Sequence, residues 1–317
     1  LVPAAHANDG GGSIRIPASF SAVDGRRGSR GSAAGSPGLG ALLGGLVAEG
    51  VVTRSVRDTA AILDAIAGAV PGDPYTAPPP VRPFATQVGA DPGRLRIGVC
   101  TQVPGEASPA HPDCVAAADD VARLLASLGH AVEASHPAAF DDPEAGQHLS
   151  MMYATATAGF VQLIERMIGR PLGPDDLDPL NWNLAEIGRS CSALQYLATV
   201  DWIHAYARRM AGWWAGGFDL LLTPTLPEPP PPLGSFVPSA ADPITAGLRA
   251  ARFAAFTCRF NLTGQPAISL PLGRSATGLP IGVQLAAAYG REDVLVRIAS
   301  QLEAARPWAD RRPAVHA

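Results

Sequence analysis

Three consecutive glycines stand directly before a serine in the run Asp9-Gly10-Gly11-Gly12-Ser13-Ile14-Arg15-Ile16-Pro17. Glycine has no Cβ, so the backbone of such a turn can approach a ligand closely and aim its N–H groups at it. A serine at the end of the turn, beside free amides, lets a nucleophile and its oxyanion-stabilising donors share one short segment. The arrangement suggests acyl transfer. A phosphate-cradling P-loop would also use glycines here, but it needs Gly-Lys-Ser/Thr, and all 24 Lys and Arg residues are arginine.

Further along, strand and helix patterns alternate. Leu95 to Val99 reads as a short aliphatic strand, and Val115, Ala118, Val121, Leu124 and Leu125 keep helical spacing from about Pro112 to Leu128. Gly129 then reads as a C-cap glycine leading into a second strand through Ala131, Val132 and Glu133. This β-α-β passage predicts a sheet covered by helices. The section from Leu149 to Gly217 is rich in helix formers, with Trp182, Trp202, Trp213 and Trp214 in it. Its Met151, Met152, Phe160 and Leu163 read as core residues of a helical section, with a substrate pocket as the alternative. The Pro-rich stretches Ala77 to Pro83 and Pro227 to Pro232 read as extended surface connections.

Composition narrows the function classes. A net charge of −4 with no basic run argues against a nucleic-acid partner. No apolar run approaches membrane-spanning length. Cys100, Cys114, Cys191 and Cys258 are scattered without metal-ligand or disulfide spacing, and isolated thiols suit a reducing cytoplasm. The expectation is a cytoplasmic enzyme acting on a small molecule, with no metal or organic cofactor. A homodimer is compatible with the sequence.

The loop resembles the second half of the amidase signature: a small residue, an acid, glycines, serine, an aliphatic residue, arginine, any residue and proline. Ala7 and Asp9 through Pro17 fit each fixed position. The resemblance continues through Arg54-Ser55-Val56-Arg57-Asp58 and Phe218-Asp219-Leu220-Leu221-Leu222-Thr223-Pro224-Thr225, then Phe260-Asn261-Leu262-Thr263-Gly264-Gln265-Pro266 and Gly278-Leu279-Pro280-Ile281-Gly282-Val283-Gln284-Leu285. It implies an α/β amidase-signature fold, a mixed central sheet covered by helices on both faces, as one domain over 1–317 with a variable helical section at about 149–217. It also implies that Ser13 is the nucleophile, that the amides of Gly10, Gly11 and Gly12 hold the oxyanion, and that Asp9 and Arg15 brace the loop. The wording His6-Ala7-Asn8-Asp9-Gly10-Gly11-Gly12 looks like the branch of the family that contains cyclic-dimer nylon oligomer hydrolases, and the chain as a whole is similar to the free-standing bacterial amidases.

In that family the general base is a lysine acting through a second serine held by a cis peptide, both upstream of the nucleophile. The sequence contains no lysine, and a guanidinium cannot accept the serine proton. The expectation is therefore a C-terminal portion of an amidase, with its N-terminal part missing and inert alone. An inactive remnant and a glutamine-dependent tRNA amidotransferase subunit are the alternatives. A Ser-His-Asp triad would need His6 or His204 as base, and neither sits in a partner motif.

Downstream of the loop the family pattern Phe-Cys-Gly-Val-Val-Gly-Leu-Lys-Pro is replaced by Phe20-Ser21-Ala22-Val23-Asp24-Gly25-Arg26-Arg27-Gly28. Asp24 and Arg26 put charge where aliphatic residues are expected, which costs several kcal/mol when buried and unpaired. Gly28 in place of proline loosens the turn. So close to Ser13, these changes are expected to compromise the active site. Gln284, polar within an apolar strand, must find a hydrogen bond.

Overall fold

The Ser13 loop joins strand β1 (Ala4–Asp9) to helix α1 (Arg15–Ser21). A computed structural model describes residues 2–33, 41–106, 108–238, 242 and 244–311. Among these residues β1 belongs to an eight-stranded sheet with β2 (Asp24–Arg27), β3 (Ala48–Thr53), β4 (Arg96–Val99), β5 (Ala131–Ala134), β6 (Leu220–Pro224), β7 (Ala267–Arg274) and β8 (Pro280–Ala287). The strand order is β1-β3-β2-β7-β8-β6-β4-β5. Only the β6–β4 and β4–β5 pairs are parallel, so the sheet is mixed.

The remaining helices are α2 (Val56–Ile66), α3 (Pro112–Ser127), α4 (Glu144–Ile168), α5 (Pro179–Ser190), α6 (Ala193–Ala215), α7 (Ile244–Phe253), α8 (Cys258–Thr263) and α9 (Glu292–Ala305). Local chemistry sets several of their ends. The Ser55 hydroxyl caps α2 by accepting from the Asp58 amide, and Ser192 and Gln195 form a reciprocal capping box on α6. The β-α-β passage read from the sequence is β4-α3-β5, with Gly129 at φ +98° closing the helix.

Helices cover both faces, and side-chain alternation along the strands shows which. A Cβ on Gly25 would lie 2.3 Å from the Ala18 Cβ of α1, and one on Gly98 2.5 Å from Trp213 of α6. Asp24 and Arg26, the strand neighbours of Gly25, point to the opposite face, toward Thr59 of α2 and Glu292 of α9. Arg306, just past α9, bonds Asp120 of α3, which places α3 on that second face. The central strands are enclosed on both sides, hence the uninterrupted apolar run Leu220-Leu221-Leu222, all fully buried.

The helical section departs from expectation in one respect. Met152 is buried, but Phe160 and Leu163 are 42% and 39% exposed rather than core residues. The buried positions of α4 are Ala145, Leu149, Met152 and Ala154, and then Val161 alone, so its C-terminal half lacks the cover its N-terminal half has. Among the described residues no helix is long and apolar enough to cross a membrane. The four cysteines are free, three of them buried.

Candidate active site

Gly10, Gly11 and Gly12 are buried while Ser13 is exposed. Gly12 has φ +137°, and a Cβ there would fall 2.3 Å from the Thr257 hydroxyl oxygen, so no side chain fits. That hydroxyl donates to the Gly11 carbonyl at 2.7 Å, and the Ile16 amide donates to the Gly12 carbonyl at 2.7 Å. Because a trans peptide sets N–H opposite C=O, these two tethers turn the Gly12 and Ser13 amides to the other side. The amides of Gly10, Gly11 and Gly12 donate to no group among the described residues. Fixed, unpartnered donors beside an exposed hydroxyl can hold an oxygen that becomes negative.

Beneath the loop lies a polar knot centred on Arg15. Its Nε and Nη2 donate to Asp9 Oδ2 and Oδ1, each at 3.0 Å, with both side chains fully buried. Nη1 donates to the Thr257 carbonyl at 2.9 Å and to Gln284 Oε1 at 2.8 Å, and Nη2 also reaches Asn261 Oδ1 at 2.6 Å. The Asn261 amide donates to the Asp9 carbonyl and to Asp9 Oδ1, and the Ile14 amide donates to Asp9 Oδ2. Gln284 finds its partners in Arg15, the Thr223 hydroxyl and the Phe256 carbonyl. Residues from β1, α1, α8, β6 and β8 thus converge on the segment that carries Ser13.

Burial alone would push the Asp9 carboxyl up, but the charge and hydrogen bonds of Arg15, with Arg27 and Asn261, hold it at about 2. Arg27 lies on the same sheet face, donating to the Gln265 and Gly28 carbonyls, and burial brings its guanidinium down to about 9. The Tyr153 phenol is pushed up to about 12, by burial first and by Asp9 second.

Asp24 and Arg26 are fully buried, yet they point away from this knot, to the α2 and α9 side of the sheet. The expectation that these charges compromise the site next to Ser13 is therefore corrected: they lie on the opposite face of the sheet. Asp24 accepts from the Thr59 hydroxyl at 2.8 Å, and burial raises it to about 7. Arg26 lies 3.9 Å from Glu292 and over the Phe84 ring, with none of its guanidinium nitrogens hydrogen-bonded. The turn at Gly28 is pinned rather than loose: the Ser29 amide donates to Glu292 and the Ser29 hydroxyl accepts from the Gly290 amide.

Of the histidines weighed as a base, His6 bonds Glu49 across β1 and β3 at 2.6 Å and His204 is exposed on α6; neither is hydrogen-bonded to Ser13. Sequence reasoning gave no role to Thr257, Asn261 or Arg27. Asn261 stands inside a segment that carries the family resemblance, which is a signal, whereas nothing local marks Thr257.

The family model described as Amidase matches residues 1–296. The chain is 40% identical over 320 residues to the 6-aminohexanoate-cyclic-dimer hydrolase of Paenarthrobacter ureafaciens, covering 99% of this chain and 65% of that protein. The corresponding hydrolase of Pseudomonas sp. strain NK87 gives the same identity and coverage. A solved structure of 6-aminohexanoate cyclic dimer hydrolase complexed with substrate superposes with a TM-score of 0.95 at 39% identity, over 98% of this chain and 66% of that one. A bacterial aryl acylamidase shares the fold, with a TM-score of 0.79 at 24% identity over 98% of this chain and 65% of that one. The chain spans about 65% of the length of the relatives it matches.

Proposed function

The chain belongs to the amidase family, and from that premise we propose that it carries the nucleophile and oxyanion-binding half of an enzyme that hydrolyses a carboxylic amide to acid and amine. The observation that carries the reading is the exposed Ser13 beside three unpartnered amides, locked from behind by Thr257 and the Asp9–Arg15 pair. In this reading Ser13 Oγ attacks the amide carbonyl while the amides of Gly10, Gly11 and Gly12 take the developing charge. The amine departs with a proton, and water releases the acyl group from Ser13.

The proton relay is proposed to come from a lysine and a second serine outside these 317 residues. Supporting this, the sequence has no lysine, arginine does not accept the proton, and His6 is engaged with Glu49. The reading treats 1–317 as one amidase-signature domain with no cofactor. Linear or cyclic amides are the substrate class, and the 6-aminohexanoate cyclic dimer, after which the 40% identical relative is named, is the first to try.

The test joins this chain to the upstream portion of that relative. The joined protein is expected to hydrolyse the cyclic dimer, the 317-residue chain alone is not, and Ser13→Ala is expected to cost roughly a thousandfold or more in kcat. Activity of Ser13→Ala within tenfold of the parent would refute the assignment.

A further inference from the structure

Leu149 and Tyr153 stand one turn apart on α4 and both reach the glycine loop. A Cβ on Gly10 would lie 3.0 Å from the Tyr153 hydroxyl oxygen, and one on Gly11 3.2 Å from the same atom. Leu149 Cδ2 closes the Gly11 side at 3.8 Å, and Leu43 Cδ1 and Val47 Cγ2 close the Gly10 side at 3.0 and 3.2 Å. The phenol oxygen therefore hangs over Gly10 and Gly11, two of the three residues whose N–H groups have no partner among the described residues, inside an otherwise apolar collar.

That hydroxyl makes no hydrogen bond among the described residues, and it is not sealed in the interior as the unpartnered Tyr206 hydroxyl is. A half-buried hydroxyl without a partner forgoes a hydrogen bond that water or a ligand would supply. We propose, resting on the amide-hydrolase reading, that Tyr153 contacts the substrate, its hydroxyl donating a hydrogen bond to the amide carbonyl oxygen alongside the Gly10–Gly12 amides. Burial keeps the phenol protonated at any working pH, as a donor must be. Glycine at 10 and 11 leaves the phenol its place, since a Cβ at either position would crowd it at 3.0–3.2 Å and press it aside.

Isothermal titration calorimetry tests this without turnover. The Ser13→Ala chain is titrated with the 6-aminohexanoate cyclic dimer, and Ser13→Ala/Tyr153→Phe is titrated beside it. The double variant is expected to bind at least tenfold more weakly, with a Tm within about 2 °C of the single variant, since the hydroxyl has no protein partner to lose. Equal affinity, a larger fall in Tm, or no binding by the Ser13→Ala chain would each overturn the assignment of Tyr153. The hydrolase reading fails separately, by hydrolysis that survives Ser13→Ala.

Discussion

Arg15 grips Asp9 through two parallel hydrogen bonds of 3.0 Å in a site with no solvent exposure on either side chain. The pair lies six residues apart in sequence, on either side of Ser13, so its geometry dictates that of the loop. A buried, bidentate pair with its remaining donors and acceptors satisfied resists replacement, because either charge left alone has no solvent to stabilise it.

Arg15→Ala is therefore expected to destabilise the fold by about 3–5 kcal/mol in a denaturant titration. Arg15→Lys should recover little, since an ammonium cannot supply the fork that meets Asp9, Asn261 and Gln284 together. A loss below about 1 kcal/mol would show that the knot does not hold the loop.

The pH dependence of Asp9 has a definite sign. Its folded-state value, about 2, lies below the ordinary carboxylate value of 3.8, so the pair's contribution is full above about pH 4 and is lost as pH falls through about 2. Thermal melts between pH 5 and pH 2 should show that decline. In Asp9→Asn the part of the decline belonging to this group should be missing.

Asp24 behaves in the opposite sense. Its folded-state value is raised from 3.8 to about 7, so the folded state holds the proton more tightly and stability falls as pH rises from about 4 through about 7. The slope from this one group reaches about 1.4 kcal/mol per pH unit. Facing it are the Thr59 hydroxyl, Arg26 and Glu303, with Glu292 beyond Arg26. The double replacement Asp24→Val/Arg26→Leu should flatten this slope and stabilise the protein by about 1–4 kcal/mol at pH 8, as apolar substitutes for buried charges do. Chemical denaturation at pH 5 and pH 8 measures both effects. A double variant less stable than the parent at pH 8 would show that these charges support the fold.

Ala22 closes α1 in the left-handed conformation, with φ +54° and ψ +46°. An L-residue with a Cβ pays about 1–2 kcal/mol there, part of which glycine's greater freedom when unfolded takes back. Ala22→Gly should raise stability by roughly 0.5–1 kcal/mol, seen as a higher Tm. An unchanged or lower Tm would mean that the Ala22 methyl is held by favourable contacts.

The loop and the strand-helix alternation were legible because they are local: Gly10-Gly11-Gly12-Ser13 announces a turn of free amides, and of the helically spaced Val115, Ala118, Val121, Leu124 and Leu125, Ala118, Val121 and Leu125 are buried while Val115 and Leu124 are half-buried against the core. Thr257 was invisible because its role comes from sitting 246 positions from Gly11 in the chain and 2.7 Å from its carbonyl in space. Asp24 and Arg26 were legible as buried charges but not as pointing away from Ser13. Strand alternation fixes which residues share a face, whereas only the packed helices reveal which face meets the site. Phe160 and Leu163 keep helical spacing with Met152, and periodicity alone could not tell that beyond Ala154 only Val161 of α4 is buried.

Whether Ser13 is the nucleophile is read most directly by covalent labelling. The joined protein, treated with a serine-directed fluorophosphonate and digested, should carry the adduct on the peptide containing Ser13, and Ser13→Ala should carry none. The 317-residue chain alone should label hardly at all, because no base among the described residues is hydrogen-bonded to the hydroxyl. An adduct on another serine, or labelling that persists in Ser13→Ala, would contradict the assignment.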